Sequence, residues 1–101
     1  MSWFLEITDP SATLSIYELE EQNVINIGRE EGEILIPHDP AMSSLHLRLI
    51  IKPQEILWDD LQTTNGTFHR NLRKKSGVLL PGDQLIVGST KLNFSHEKPK
   101  P

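Results

Sequence analysis

The sequence predicts an all-β domain, a sandwich or barrel of short strands. About ten short apolar runs, several alternating apolar and polar residues, are separated by Gly, Pro, Asn and Asp turns. No stretch sustains a 3.6-residue period, and there are no internal repeats. The chain has 101 residues, enough for one core and too few for two.

Trp3, Leu5 and Ile7 alternate with Phe4 and Glu6, which predicts a first strand over 3–7. Asp9-Pro10-Ser11 ends it, because the proline ring restricts Asp9 to extended or turn backbone. Leu14, Ile16 and Tyr17 mark a second strand, and 18–23 is a polar return. A third strand over 24–27 ends at Gly28-Arg29, where Gly28 is expected to let the chain turn sharply. Gly32, in the loop that follows, is free to take an unusual φ. Residues 34–36 form a short fourth strand stopped by Pro37.

The clearest strand covers 45–51, with Leu45, Leu47 and Leu49 on one face and His46 and Arg48 on the other. Residues 56–58 begin a strand that ends in Asp59-Asp60, and Thr63-Thr64-Asn65-Gly66-Thr67 then leads into Phe68. Asn-Gly between strand-like residues signals a tight turn in which both central positions accept positive φ. The polar side chains of Thr63, Thr64, Asn65 and Thr67 exceed what capping one turn requires. This loop is therefore expected to bind something, with Thr63 left as a surface residue. Residues 69–76 are locally basic without clean periodicity. Residues 78–80 and 84–87 are expected to pair as a hairpin about Pro81-Gly82-Asp83, and Gly88-Ser89-Thr90 turns into a last strand at 91–94. The domain is thus expected over 1–94, with 95–101 as a flexible tail or linker.

Composition removes several function classes. There is no cysteine, hence no disulfide, thiol catalysis or thiolate metal site, which is compatible with a reducing compartment. The net charge of −4, with acids and bases intermixed, argues against nucleic-acid binding. Residues 1–6 lack the basic and long apolar regions of a secretory signal, and no apolar run approaches the ~20 residues that span a bilayer. A soluble, cytoplasmic domain is expected, or a nuclear one in a eukaryotic cell. No membrane partner is expected, and the isolated domain is expected to be a monomer.

Enzyme readings fare poorly. No Gly-Lys-Ser/Thr follows Gly28 to Gly32, so this is no phosphate-cradling nucleotide loop. His38, His46, His69 and His96 lack ligand spacing, so neither a metal nor a cofactor is expected. Asp59 and Asp60, consecutive on a strand, point to opposite faces and read as strand-end and turn capping rather than paired acids. A hydrolase built on Ser43 and His46, with Asp59 or Asp83, lacks a Gly-x-Ser-x-Gly elbow and room for a cleft. Asn65-Gly66-Thr67 matches a glycosylation sequon, but no secretory signal supports that use.

Three features fall at the ends of predicted strands: Gly28-Arg29, Ser43-Ser44-Leu45-His46, and Thr64-Asn65-Gly66-Thr67. Asp60-Leu61 precedes the last, and Pro81-Gly82-Asp83-Gln84-Leu85-Ile86 follows with Gly88. In this order and spacing they resemble the forkhead-associated (FHA) domain family, from about Val24 to Phe94. The resemblance implies a sandwich of two antiparallel sheets that binds phosphothreonine peptides with loops at one end. It places Arg29 as the phosphate cation, Ser43 as a hydroxyl donor to phosphate and Ser44 as a second phosphate contact. Thr64 would lie beside the peptide and Asn65 would hold its backbone, while Gly28, His46, Gly66 and Thr67 would shape the loops. Two positions depart from the family pattern: Ser44 where many members carry Arg, and His69-Arg70-Asn71 where Val-Asn-Gly is common.

The function so implied is a non-catalytic phosphothreonine-dependent interaction module in Ser/Thr kinase signalling. Its partner would be a phosphothreonine-containing protein or peptide. The alternative is a structural or assembly domain of the same fold that docks an unphosphorylated partner or itself.

Overall fold

Alternation places the first strand where the sequence puts it. β1 (Trp3–Thr8) buries Trp3, Leu5 and Ile7 and leaves Phe4, Glu6 and Thr8 half-buried. The computed structural model describes residues 2–100. Met1, the start of the expected domain, and Pro101, the end of the expected tail, lie outside the described residues. Ten further strands follow: β2 (Leu14–Leu19), β3 (Val24–Gly28), β4 (Ile34–Leu35), β5 (Leu47–Ile51), β6 (Ile56–Asp60), β7 (Thr67–His69), β8 (Leu72–Lys74), β9 (Ser76–Leu79), β10 (Gln84–Val87) and β11 (Thr90–Ser95). There is no helix among the described residues.

Two sheets result, a six-stranded one in the order β2-β1-β11-β10-β7-β8 and a five-stranded one in the order β4-β3-β5-β6-β9. The expected antiparallel pairing holds except at one edge, where β3 and β4 run parallel. The core lies between the sheets. Trp3, Leu5, Leu85, Val87, Leu92 and Phe94 of the first face Ile27, Leu47, Leu49, Ile51, Ile56, Trp58 and Leu79 of the second. Burying side chains of this size stabilises the fold by about 1.5–3 kcal/mol each before chain entropy is counted. Trp3 also joins the layers through a hydrogen bond, its indole Nε1–H donating to the Lys52 carbonyl at 2.8 Å.

Four expectations are corrected. The Asn65-Gly66 tight turn does not join two paired strands, because β6 and β7 belong to different sheets and the loop crosses between them. Only Gly66 has positive φ there, at 84°, while the other left-handed residue of the loop is Gln62 at 59°. Likewise Pro81-Gly82-Asp83 connects β9 of one sheet to β10 of the other. A two-residue hairpin joins β10 to β11 at Gly88-Ser89, as expected, and a second, unexpected one lies in the basic segment, where His69 pairs with Leu72 and Arg70 and Asn71 take φ of 53° and 65°. Two consecutive left-handed residues make the turn that matches strand twist, and Asn71 tolerates that geometry better than most residues. Finally, β5 starts at Leu47, so Leu45 and His46 belong to the preceding loop. His46 is fully buried there, because its ring is drawn into loop hydrogen bonds rather than facing outward beside Arg48.

At the other terminus β11 runs through Ser95, and the His96 ring meets Trp3 edge-on at a centroid distance of 4.1 Å.

Gly77 of β9 takes the place that a side chain would need against Trp58. A Cβ built there would lie 2.7 Å from the indole Nε1 and 3.0 Å from Cε2. The ring is buried and cannot swing away, so Gly77→Ala is expected to lower stability by about 1–3 kcal/mol in urea denaturation. An unchanged midpoint would show that Trp58 repacks freely.

Candidate functional site

The loops β3–β4, β4–β5 and β6–β7 leave the five-stranded sheet at one end, where Gly28, Leu47 and Asp60 lie. Hydrogen bonds lash the loops together. The Arg29 N–H donates to the Ser43 carbonyl at 3.0 Å, and the Glu30 and Glu31 N–H groups donate to the Ser44 carbonyl at 3.1 and 2.9 Å. Such close backbone contact requires Gly28. A Cβ there would come 2.1 Å from the Ser44 carbonyl oxygen and 2.5 Å from that of Glu31. Gly28 does not have positive φ, so close approach, not the expected sharp turn, is what demands glycine.

His46 is the hub. Its Nδ1 accepts the Ser43 N–H at 3.0 Å, so that nitrogen carries no proton. The proton therefore sits on Nε2, which donates to the Gly66 carbonyl at 3.0 Å. One neutral imidazole thus joins the loop holding Ser43 to the loop holding Asn65. Burial pushes the His46 pKa below its ordinary value and outweighs the Gly66 carbonyl and the Asp60 and Asp39 carboxylates, which push it up. The Asp60 carboxylate is 3.8 Å from Nε2, too far to replace the Gly66 bond.

Two carboxylates complete the frame. Asp60 accepts the Thr63 N–H at 2.9 Å and the Thr63 and Thr67 hydroxyls at 2.7 Å each. The Thr63 hydroxyl oxygen in turn accepts the Gly66 N–H at 3.0 Å. Burial raises the Asp60 pKa, but these hydrogen bonds together overcome it and hold the carboxyl below its usual range. Asp60 therefore caps the loop as the sequence suggested. Thr63 is a correction: it is buried at the centre of the network, not a surface residue. The apparent surplus of hydroxyls has a structural use, because Thr63 and Thr67 satisfy Asp60 and only Thr64 and Asn65 remain exposed.

Asp39, fully buried, does the same for the β4–β5 loop. It accepts the Ala41 N–H at 3.0 Å, the Ser89 N–H at 2.8 Å and the Thr90 hydroxyl at 2.7 Å, tying this loop to the β10–β11 turn. Sequence reasoning passed over Asp39 and read Arg73-Lys74-Lys75 as a solvated loop rather than a second anion site. The signal for Asp39 was its own Asp-Pro-Ala sequence, the composition of a turn in which the side chain bonds the backbone two residues on. For Arg73 the local sequence held no signal, because strand pairing brings it over Gly66, where its guanidinium donates to the Thr64 carbonyl at 3.1 Å.

The ligand-facing candidates lie on this frame. Arg29 is half-exposed, with Nε–H donating to the Met42 carbonyl at 3.0 Å and Nη1 to Glu30 at 2.9 Å, and its other guanidinium donors have no partner among the described residues. Asn65 donates through Nδ2 to the Ala41 carbonyl at 2.8 Å, which leaves its Oδ1 available. The hydroxyls of Ser43, Ser44 and Thr64 make no hydrogen bond among the described residues. Glu30, Glu31 and Glu33 share the β3–β4 loop, so Arg29 stands among carboxylates.

Known proteins with this chain's features bear on that arrangement. Residues 11–98 match the family model described as "Inner membrane component of T3SS, cytoplasmic domain". The FHA domain-containing protein FhaB of Mycobacterium tuberculosis is 31% identical over 92 residues, covering 90% of this chain and 59% of its own length. This chain thus spans about three-fifths of that relative. The crystal structure of the FHA domain of CT664 from Chlamydia trachomatis superposes with a TM-score of 0.87 at 17% identity, covering 96% of this chain and 99% of the other. A structure from work on phosphothreonine-dependent FHA domain interactions gives 0.82 at 28% identity, with 98% and 100% covered. No helix among the described residues is long and apolar enough to cross a membrane.

The buried imidazole makes stability depend on pH. Above 6.5, the ordinary histidine value, His46 is neutral in folded and unfolded chains alike. As pH falls below 6.5 the unfolded chain takes up a proton that the folded one resists, so unfolding becomes easier until the lower folded pKa is reached. Urea midpoints are expected to drop between pH 7.5 and 5.5, and His46→Gln is expected to be less stable at pH 7.5 with a shallower pH slope. Equal slopes in the two proteins would remove His46 as the cause.

Proposed function

Because the chain belongs to the forkhead-associated domain family, we propose that it is a non-catalytic module that binds phosphothreonine-containing segments of partner proteins in Ser/Thr kinase signalling. The observation that carries this reading is Arg29, a guanidinium with free donors held at a loop end beside unbonded hydroxyls of Ser43 and Ser44. A phosphothreonine presents about −1.5 to −2 charges and three acceptor oxygens, which call for a fixed cation and neutral donors. Arg29 supplies the charge, and Ser43 and Ser44 supply O–H donors. Thr64 lies beside the peptide, and Asn65, steadied by the Ala41 carbonyl, offers Oδ1 to a peptide N–H. His46, Gly28, Gly66 and Thr67 hold these groups in place without touching ligand. Charge-assisted hydrogen bonds of roughly 1.5–3 kcal/mol each, discounted for ordering, give an affinity near micromolar.

Glu30 opposes this binding. Its carboxylate occupies part of the Arg29 fork, and a phosphate must displace it. Together with the neutral Ser44, it favours a second reading in which the domain serves assembly and docks an unphosphorylated surface. A phosphopeptide array read beside its unphosphorylated copy separates the two, because the second reading predicts equal signals.

Arg29→Ala is expected to abolish binding to a phosphothreonine peptide in fluorescence anisotropy while leaving the unfolding midpoint in place. Retained affinity would overturn the role given to Arg29. Removing the competing charge with Glu30→Gln is expected to tighten binding about two- to fivefold, as suits an exposed ion pair. Affinity is also expected to fall as pH drops through ~6, where phosphate regains its second proton. Constant affinity from pH 7.5 to 5 would exclude recognition of the dianion.

A further inference from the structure

An antiparallel sheet with one face in water presents polar residues outward, and the five-stranded sheet breaks that pattern in one row. Cross-strand register sets Val24 opposite Ile50, Ile50 opposite Leu57, and Leu57 opposite Val78. Their neighbours Ile27, Leu47, Leu49, Ile51, Ile56, Trp58 and Leu79 are buried, so alternation points this row outward. Val24 is 53% exposed and Val78 43% exposed. The row thus runs across β3, β5, β6 and β9 as an apolar stripe, exposed at Val24 and Val78 and half-buried at Ile50 and Leu57. Along β5 and β6 it lies three residues from Leu47 and Asp60, on the outer face of the sheet and not among the loops at its end.

The rows on either side identify that occupant. On one side Arg48 faces Asp59 across β5 and β6. On the other, Lys52 and Glu55 face each other across the β5–β6 turn, where the Lys52 N–H donates to the Glu55 carbonyl at 3.0 Å. Among the described residues none of these four side chains forms an ion pair within the chain. Each row therefore carries one cation on the β5 side (Arg48 in the strand, Lys52 just after it) and one anion on the β6 side (Asp59 in the strand, Glu55 just before it), with the apolar stripe between them.

We propose that this face binds a second copy of the same chain about a two-fold axis running along the strands between β5 and β6. That operation sets Ile50 against Leu57 of the second copy and Val24 against Val78. It also sets Arg48 against Asp59 and Lys52 against Glu55, each pair occurring twice. The surface is complementary to itself in charge and in apolar content, as an isologous interface requires. The strands of the two copies lie nearly aligned, the arrangement that twisted sheets adopt face to face. Four strands spaced about 4.8 Å apart and three rows about 7 Å apart bury on the order of 400 Å² per copy, which makes the dimer transient. This departs from the monomer expected from the sequence.

Sedimentation equilibrium of the whole chain tests the dimer. The average mass is expected to rise from 11.5 kDa towards twice that value as concentration passes through about 0.1–1 mM. Val24→Asp and Val78→Asp, both at exposed positions, are each expected to weaken association at least tenfold without changing phosphopeptide affinity or circular dichroism. Arg48→Asp alone and Asp59→Arg alone place like charges opposite each other and should each weaken it. Mixing these two single variants pairs opposite charges at every contact and is expected to restore association. A constant 11.5 kDa up to 1 mM, association that survives both Val24→Asp and Val78→Asp, or a mixture no more associated than its components would each overturn the proposal.

Discussion

The site depends on a single buried imidazole kept neutral. His46 accepts from Ser43 with one nitrogen and donates to Gly66 with the other, so it can span two loops only as one tautomer. Protonation would put a second N–H against the Ser43 donor, and loss of the ring would leave two buried backbone groups without partners. Every ligand-facing candidate stands within a few residues of this bridge or is bonded to a loop that it joins. The placing of the rim groups therefore rests on a residue that is itself fully buried.

Around that bridge the polar groups sort by burial. Asp39 and Asp60 each gather three hydrogen bonds, fastening the β4–β5 loop and the β6–β7 loop to their surroundings. Buried carboxylates satisfied in this way make loops rigid without helices or disulfides. Among the described residues of these loops, the Ser43, Ser44 and Thr64 hydroxyls, the Asn65 oxygen and the outer donors of Arg29 remain unbonded. A loop cluster with a saturated interior and an unsaturated rim is prepared for a polar ligand, because little must be reorganised when one arrives.

Electrostatics at the rim is balanced rather than strongly positive. One arginine faces Glu30 directly, with Glu31 and Glu33 in the same loop. The phosphopeptide proposed as ligand would have to displace Glu30, and a phosphate is equipped for that by carrying more acceptors and more charge than a carboxylate. The outer face of the same sheet carries charges of both signs on either side of an apolar row, a surface of different chemistry suited to a different contact.

The amino-acid sequence by itself determined the class of fold and the identity of the loop residues. Period-two alternation in Trp3, Leu5 and Ile7 or in Leu47, Leu49 and Ile51 is a local property of the strand, so it is legible without knowing what packs against it. Tertiary structure decided which strands pair, and there the local signals misled. Asn65-Gly66 and Pro81-Gly82-Asp83 look like hairpins, but a turn signal states that the chain reverses and is silent on which sheet receives it. Tertiary structure also decided the fate of polar side chains. Thr63 and Thr64 are adjacent and chemically identical, yet one is buried against Asp60 and the other faces solvent. Gly28 is fixed by a carbonyl from a loop sixteen residues away, Ser44, and His46 by Gly66 twenty residues on. Such constraints join segments distant in sequence, and only the closed sandwich brings them within hydrogen-bonding reach.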